Sequence, residues 1–536
     1  MTPVVSDRRT FLGSLLAGGG FFLLPGLAAA TAKGPALGQP EAFSFDLLKE
    51  MARSLAQTAY VPPALPDAAV LERISYDYHN QIRYRDDQTL WADQGKTSPV
   101  QPFFPGTYFR QPVRLYAVED GQARELGFDL NLFEIPEGNP ARELKHTEGF
   151  AGFRVKDAET GLDWMAFLGA SYWRTSGYSG QFGLSVRGLA LDSGMETPEE
   201  FPMFTRFWLE PSESGDITAY ALLESPRATG AYRITSARNV DGRPGIVQEV
   251  SAALFLRGDI GRLGIAPLTS MYWFGKNNAF IAPDWRPEVH DSDGLEIHAA
   301  NGERIWRPLN NPPRTMANTF LSPGVKGFGL MQRERSFEQY QDDGVFYEKR
   351  ASVFVEPAGD WGDGAVTLIE LRTDDEIHDN IGAFWTPSAP AKAGQEYDLH
   401  YRLSWLEDAP AAPQGARFVA TRLGAGGIPG HPRPPKCVKV TCDLENLGLE
   451  MFDRTSGVTV DVSASRGVTS NTVAYPVVGT NRWRAMVDVD YAALDEGDDE
   501  PIDLRICLRR NEAALSETLL LQLFPSQLNR LLSARA

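Results

Sequence analysis

From about residue 103 onward the chain is a succession of short runs rich in Val, Ile, Phe, Tyr and Trp, and no helical period lies between them. Residues 113–118, 164–173, 182–191, 217–223, 246–256 and 366–371 are such runs, separated by Gly, Pro, Asn and Asp. β-Branched and aromatic side chains suit a pleated surface, and the separators break strands into turns, so the pattern predicts a large antiparallel β-sandwich. At 536 residues the chain exceeds what one core usually supports, which predicts two or more domains. Helix is expected near the start: Leu47, Leu48, Met51, Leu55 and Ala59 recur at spacings of three and four within 41–60, and Leu71, Ile74 and Tyr78 share a face from Asp67 onward. The Pro- and Ala-rich stretch at 408–417 reads as a linker, because its prolines and small residues neither extend a central strand nor fill a core. It divides a domain at 41–407 from one at 418–536. In the latter, runs at 437–442, 458–462, 472–478, 482–489, 502–509 and 518–524 are spaced as in an immunoglobulin-like sandwich. The acidic run at 495–500 is a solvated turn between two of them.

Residues 1–32 read as a twin-arginine export signal: Arg8-Arg9-Thr10-Phe11-Leu12, then a short apolar run broken by Gly18, Gly19, Gly20 and Pro25, then Ala28-Ala29-Ala30. Cleavage there starts the mature chain near Thr31 or Lys33 and places its work outside the cytoplasm. The formal net charge is −18. Such an acidic chain has no electrostatic case for binding nucleic acid. No later stretch holds 18 uninterrupted apolar residues, so no stable membrane anchor is expected. Cys437 and Cys442 are five apart and point to opposite faces of a strand, which leaves a Cys442–Cys507 bond or three reduced thiols. The seven histidines form no H-x-x-x-H pair and no C-x-x-C occurs, so neither a transition metal nor another cofactor is expected. G-x-S-x-G and G-x-G-x-x-G are also missing, which removes the usual serine-nucleophile and dinucleotide readings.

Three segments combine acids, aromatics and turn residues more densely than a structural sandwich needs: 289–295 with 305–312, 340–347, and 376–385. Asp291-Ser292-Asp293-Gly294 taken alone is a turn signal. The same residue types suit sugar chemistry. Glycoside cleavage takes one carboxylic acid to protonate the leaving oxygen and a second carboxylate to activate the attacking hydroxyl, while aromatic faces carry pyranose rings. Trp164, Trp173, Trp208, Trp273, Trp285, Trp306, Trp361 and Trp385 all lie in the larger domain, and two or three of them are expected to serve as sugar platforms.

Several motifs in one order carry a resemblance: Gly149-Phe-Ala-Gly-Phe-Arg154, Phe167-Leu-Gly-Ala-Ser-Tyr172, Leu263-Gly-Ile-Ala-Pro-Leu-Thr-Ser-Met271, His290-Asp-Ser-Asp293, Arg307-Pro-Leu-Asn-Asn-Pro312, Lys326-Gly-Phe-Gly-Leu330 and Asp379-Asn380. From about 41 to 525 the chain resembles the periplasmic glucan biosynthesis proteins of the G and D type, and its signal is similar to the D type. The resemblance implies an all-β fold, a galactose-mutarotase-like supersandwich followed by an immunoglobulin-like sandwich. It also implies an anomer-inverting, endo-acting site on β-1,2-glucan, with hydrolysis and transglycosylation, including ring closure, both open. Asp379 would be the general acid and Asp291 the general base through a relay of water or sugar hydroxyls. Tyr347 matches a groove tyrosine of that relay, and Asp293, Trp306, Arg307, Tyr172 and Trp385 complete the implied relay and substrate-binding set. The implied partners are the glucan, a membrane glucan synthase and a second copy in a homodimer. The 424–435 loop, longer in D-type hydrolases where it covers a partner's groove, is short and Pro-rich here. The other reading of the same pattern is a non-catalytic glucan-binding scaffold.

Overall fold

The computed structural model describes residues 34–65, 67–92, 98–145, 149–411, 415–445, 447–495 and 497–533. Residues 1–32, expected from the sequence to be an export signal, and residues 412–414 of the expected linker lie outside these. Strands hold 44% of the chain and helices 11%, in several antiparallel sheets, so the architecture is all-β as the run pattern predicts. The chain divides into two compact units. Unit 1 holds the residues up to 268, with 355–361 and 384–406; unit 2 holds 269–354, 362–383 and the residues from 407.

Unit 1 is built on one long sheet in the order Glu41–Ala42, Gln122–Leu126, Arg114–Glu119, Met203–Pro211, Ile217–Glu224, Ala228–Arg238, Ile246–Leu256 and Glu396–Leu406. A second sheet includes Ser185–Arg187, Tyr172–Thr175, Asp163–Leu168, Gly152–Lys156 and Val100–Phe103. Aromatic rings interlock between the sheets: Phe167 meets Phe207 edge-on at 5.7 Å, and Phe204 lies 6.2 Å from Trp173. A glutamine is buried in this core. Gln248 accepts from the indole N–H of both Trp173 (3.0 Å) and Trp405 (2.9 Å) and donates to Ser236, so its burial leaves no amide unsatisfied.

The first predicted helix forms as Phe45–Ala56, four residues late, because Glu41–Ala42 pairs with Gln122–Leu126 instead. Ser44 caps it, accepting from the Leu47 N–H at 3.2 Å. Leu48 and Ala52 are its buried face, against Tyr116, Val118, Trp208 and Phe255, whereas Leu47 is exposed and Ala59 lies beyond the helix end. The second predicted helix breaks into Ala68–Arg73 and Tyr76–His79, with Ile74 non-helical between them.

Unit 2 packs two sheets on one core. The first runs Gly327–Met331, Gly294–His298, Arg304–Pro308, Thr518–Leu523, Ile502–Arg510, Thr459–Ala464; the second runs Phe418–Ala425, Cys437–Glu445, Arg482–Asp490, Val468–Val477. Val438, Val440, Trp483 and Val487 of the second share a cluster with Trp306, Leu504, Ile506 and Leu521 of the first. Arg304–Pro308 and Thr518–Leu523 pair in parallel, Trp306 opposite Leu519. A helix that the sequence reading did not include, Pro525–Ser533, adds Leu528 and Leu531 to this core. All three cysteines are buried and reduced, which decides between the two thiol readings.

Candidate active site

Six of the eight residues singled out in the sequence fall in unit 2, and the hairpin of Tyr272–Phe274 with Val289–His290 is the frame on which they are assembled. Tyr272 pairs with His290, and the chain then passes through Asp291, Ser292 and Asp293 into the strand Gly294–His298. Backbone bonds hold that passage from both sides: Asp291 N–H donates to Met271 at 2.9 Å and Asp293 N–H to Met331 at 2.8 Å. The Asp-Ser-Asp-Gly stretch is therefore a bridge between two strands, and Gly294 serves a close approach. A Cβ on Gly294 would stand 2.1 Å from the Trp306 ring.

Asp291 is fully buried and its carboxylate pairs with Arg350. The Arg350 guanidinium in turn lies 4.3 Å from the centre of the Tyr347 ring. The Tyr347 hydroxyl donates to Glu376, whose two oxygens also accept from Arg286 at 3.0 Å each. Three and four residues on come Asp379, half-buried, and Asn380, buried. The Asn380 amide clamps Tyr272, accepting from its N–H at 2.8 Å and donating to its carbonyl at 2.9 Å. These links close a circuit: Asp291, Arg350, Tyr347, Glu376, the 376–380 segment, Tyr272, His290 and back to Asp291. All three segments picked out in the sequence contribute to it.

The surroundings fix protonation states. His290 bridges Gln332 (3.0 Å) and Glu288 (3.2 Å), stacked on Tyr272 and edge-on to Tyr340. Burial pulls Glu288 toward the protonated form, but the His290 and Lys276 contacts outweigh it and hold its carboxyl below the usual range. Burial raises the phenols of Tyr272 and Tyr340 well above their ordinary value, so both remain neutral. Asp293 accepts the backbone N–H groups of Arg333 (3.1 Å) and Glu334 (3.0 Å); burial raises its pKa, against the pull of His290 and Arg333. Both of its oxygens accept from backbone, which ties the 333–334 backbone to the circuit.

Trp306 and Arg307 lie in the core at 4% and 2% exposure. Arg333 stacks 3.6 Å from the Trp306 ring and pairs with Glu296 and Glu517. Arg307 pairs with Glu370 at 2.9 Å, and burial raises the Glu370 pKa even against Arg307. In the same motif Asn311 donates to the carbonyls of Trp273 (3.1 Å) and Thr373 (2.7 Å) and accepts from the Thr373 N–H, a second amide clamp on the Asp379 segment. Tyr172 and Trp385 belong to unit 1 and are buried there. Tyr172 accepts from Ser185, and Trp385 lies 5.3 Å from Trp361.

Arg350, Arg286 and Gln332 support the candidate site and lie outside the segments singled out in the sequence, whereas Glu376 opens the third of those segments. Arg350 closes the 3-10 turn Tyr347–Lys349, and its place three residues after a suspected site tyrosine was the available signal. Trp285 is 73% exposed and sits between Asp284 and Arg286. Arg286 fixes that loop through Asp284 (2.9 Å), Asp342 (2.7 Å) and Glu376. Among the described residues no group of three or more His, Cys, Asp or Glu side chains is arranged to hold a metal ion.

A family model described as periplasmic glucan biosynthesis protein, MdoG, matches residues 43–523. Glucans biosynthesis protein D 2 of Ralstonia nicotianae is 46% identical over 516 residues, 94% of each chain. Glucans biosynthesis protein D of Stenotrophomonas maltophilia is 43% identical over 529 residues, and that of Xanthomonas campestris pv. campestris 42% over 530, each covering 97% of this chain and 98% of the relative. No helix among the described residues is long and apolar enough to cross a membrane. A match of this extent, running through both compact units, means that the chain belongs to the periplasmic glucan biosynthesis protein family.

Proposed function

We propose that the protein is an anomer-inverting, endo-acting enzyme on β-1,2-glucan, working in the periplasm after export by the twin-arginine route. Asp379 is the general acid and Asp291 the general base. The observation that carries this reading is the circuit that ties the Asp379 segment to Asp291 through Tyr347 and Arg350. A fully buried, ion-paired Asp291 cannot meet a sugar directly, so it draws its proton through a relay of water or sugar hydroxyls with the Tyr347 hydroxyl near its head. Inversion takes carboxyl groups about 6.5–9.5 Å apart, and more with a relay between them. Trp285, exposed on a loop fixed by Arg286, is the sugar platform that this arrangement favours. Trp306 acts from the core by carrying Arg333, and Arg307 by holding Glu370.

The same Asp291–Arg350 pair suits a binding-only site, since the carboxylate is already engaged by a buried cation; this favours the second reading, a non-catalytic glucan scaffold. Incubating the mature protein with linear β-1,2-glucan and reading product masses tests both. Linear products with one added water per cut mean hydrolysis, and products lighter by one water mean ring-closing transfer. Asp379→Asn is expected to abolish turnover and keep binding; full turnover in that variant overturns the assignment, and unchanged polymer that still binds the wild type leaves the scaffold.

A further inference from the structure

We propose that the outer face of the four-stranded sheet of unit 2 holds an oxyanion-binding pocket that takes a phosphate-ester or carboxylate group. The pocket has a volume of about 340 Å³. Strand alternation builds it. Val438, Val440, Cys442, Trp483, Ala485 and Val487 turn inward to the core, so Lys439, Thr441, Asp443, Arg484 and Asp488 turn the other way. The register sets Arg422 opposite Thr441, Asp443 opposite Arg484, and Lys439 opposite both Gly424 and Asp488. Gly424 leaves the floor open, since a Cβ there would meet nothing within 4 Å.

Beneath the rim lie two buried carboxylates that organise the cations. Asp443 accepts from Arg422 (2.8 Å) and from Arg484 (2.7 Å), and Asp488 pairs with Lys439. Burial works against ionisation of both acids. The guanidinium groups of Arg484 and Arg422 nevertheless hold Asp443 below the usual carboxylate range, and the Lys439 and Asn471 contacts do so for Asp488. The fourth cation comes from the short Pro-rich loop. Arg433 folds back to donate to the carbonyls of Ala425 (2.7 Å) and Gly426 (3.0 Å), so backbone holds it rather than a carboxylate. Four cations over two carboxylates leave a local charge of +2 in a chain of net charge −18. Guanidinium forks pair with the two oxygens of a carboxylate or phosphate, and the Thr441 hydroxyl adds a donor at the floor. None of these residues belongs to the Asp291–Asp379 circuit, so the proposal stands or falls apart from the enzymatic reading.

Isothermal titration of the mature protein at about 0.15 M ionic strength with inorganic phosphate, glucose 6-phosphate and glucose tests it. Both phosphates are expected to bind and glucose to give no heat. Tighter binding of the sugar phosphate identifies a group carried on a sugar, and equal binding identifies a free anion. Arg433→Ala, a change at an exposed side chain, and Arg422→Gln are each expected to weaken binding about tenfold or more; Arg433→Ala leaves the melting temperature unchanged, whereas Arg422→Gln, which takes one of two cations from buried Asp443, lowers it. Absence of phosphate binding by the wild type, or equal binding by both variants, overturns the proposal.

Discussion

Replacing Arg350 by Met separates the structural and catalytic parts of the site. The Arg350 side chain is 9% exposed and Asp291 fully buried, so the variant strips the counter-charge from a carboxylate that solvent does not reach. Breaking a buried pair on one side costs about 3–5 kcal/mol, because the remaining charge stays desolvated. The loss of the 4.3 Å contact with the Tyr347 ring adds about 0.5–2 kcal/mol. At about 2–4 °C per kcal/mol for a domain of this size, unit 2 should melt roughly 7–28 °C lower. Pairing Arg350→Met with Asp291→Asn removes both charges and should recover most of that stability while turnover stays lost. Differential scanning calorimetry of the two single variants and the double variant, with product assays alongside, reads the cycle. A fall of less than about 1 kcal/mol for Arg350→Met would place the pair in the weak, solvated class and refute the argument from burial.

Three further changes test other parts of the fold. Gly294→Ala drives a methyl into the Trp306 ring, which Arg333 pins from its own side, so a loss near the upper end of the usual 1–3 kcal/mol overpacking cost is expected in denaturant titrations, partly recovered by adding Trp306→Leu. Tyr347→Phe removes the hydroxyl that donates to Glu376, and turnover should fall by about 10²–10⁴ with glucan affinity kept if that hydroxyl heads the relay. His79 is buried, its Nε2 against the Phe104 carbonyl, and burial lowers its pKa from 6.5 to about 4. Its folded pKa lies below the unfolded one, so the unfolded chain takes up the proton first. Unit 1 should then lose about 3 kcal/mol as pH falls from about 6.5 to 4, and His79→Gln, which keeps an N–H donor, should flatten that slope in pH-dependent melts.

What could be read in the sequence was local. The runs at 217–223, 246–256 and 482–489 became Ile217–Glu224, Ile246–Leu256 and Arg482–Asp490 because their apolar residues suit a pleated surface. The strands Ala228–Arg238 and Glu396–Leu406 escaped notice: Arg233, Arg238, Glu396, Asp398 and Arg402 dilute the apolar signal while the alternate residues Tyr401, Leu403 and Trp405 fill the core. The carboxylates Asp291 and Asp379 and the hydroxyl of Tyr347 stood out by type and company. Their supports stood out less: Arg350 and Arg286 have near neighbours in Tyr347 and Asp284, but the pairings of Arg350 with Asp291, Arg286 with Glu376 and Gln332 with Tyr347 span 15 to 90 residues, which no local spacing encodes. Trp306, Arg307 and Asp293 show the converse: an acid, a guanidinium and an indole in a dense motif can be the frame on which a site is hung.

That frame is held at two points by neutral amides. Asn380 grips the backbone of Tyr272, and Asn311 grips Trp273 and Thr373. Each amide both donates and accepts, which a carboxylate cannot do and a hydroxyl does with less reach. Because an amide does not titrate, these anchors keep their grip whichever of the neighbouring acids holds the proton. In the mechanism proposed above, protons would then be exchanged across the site while the distances they must cross stay the same.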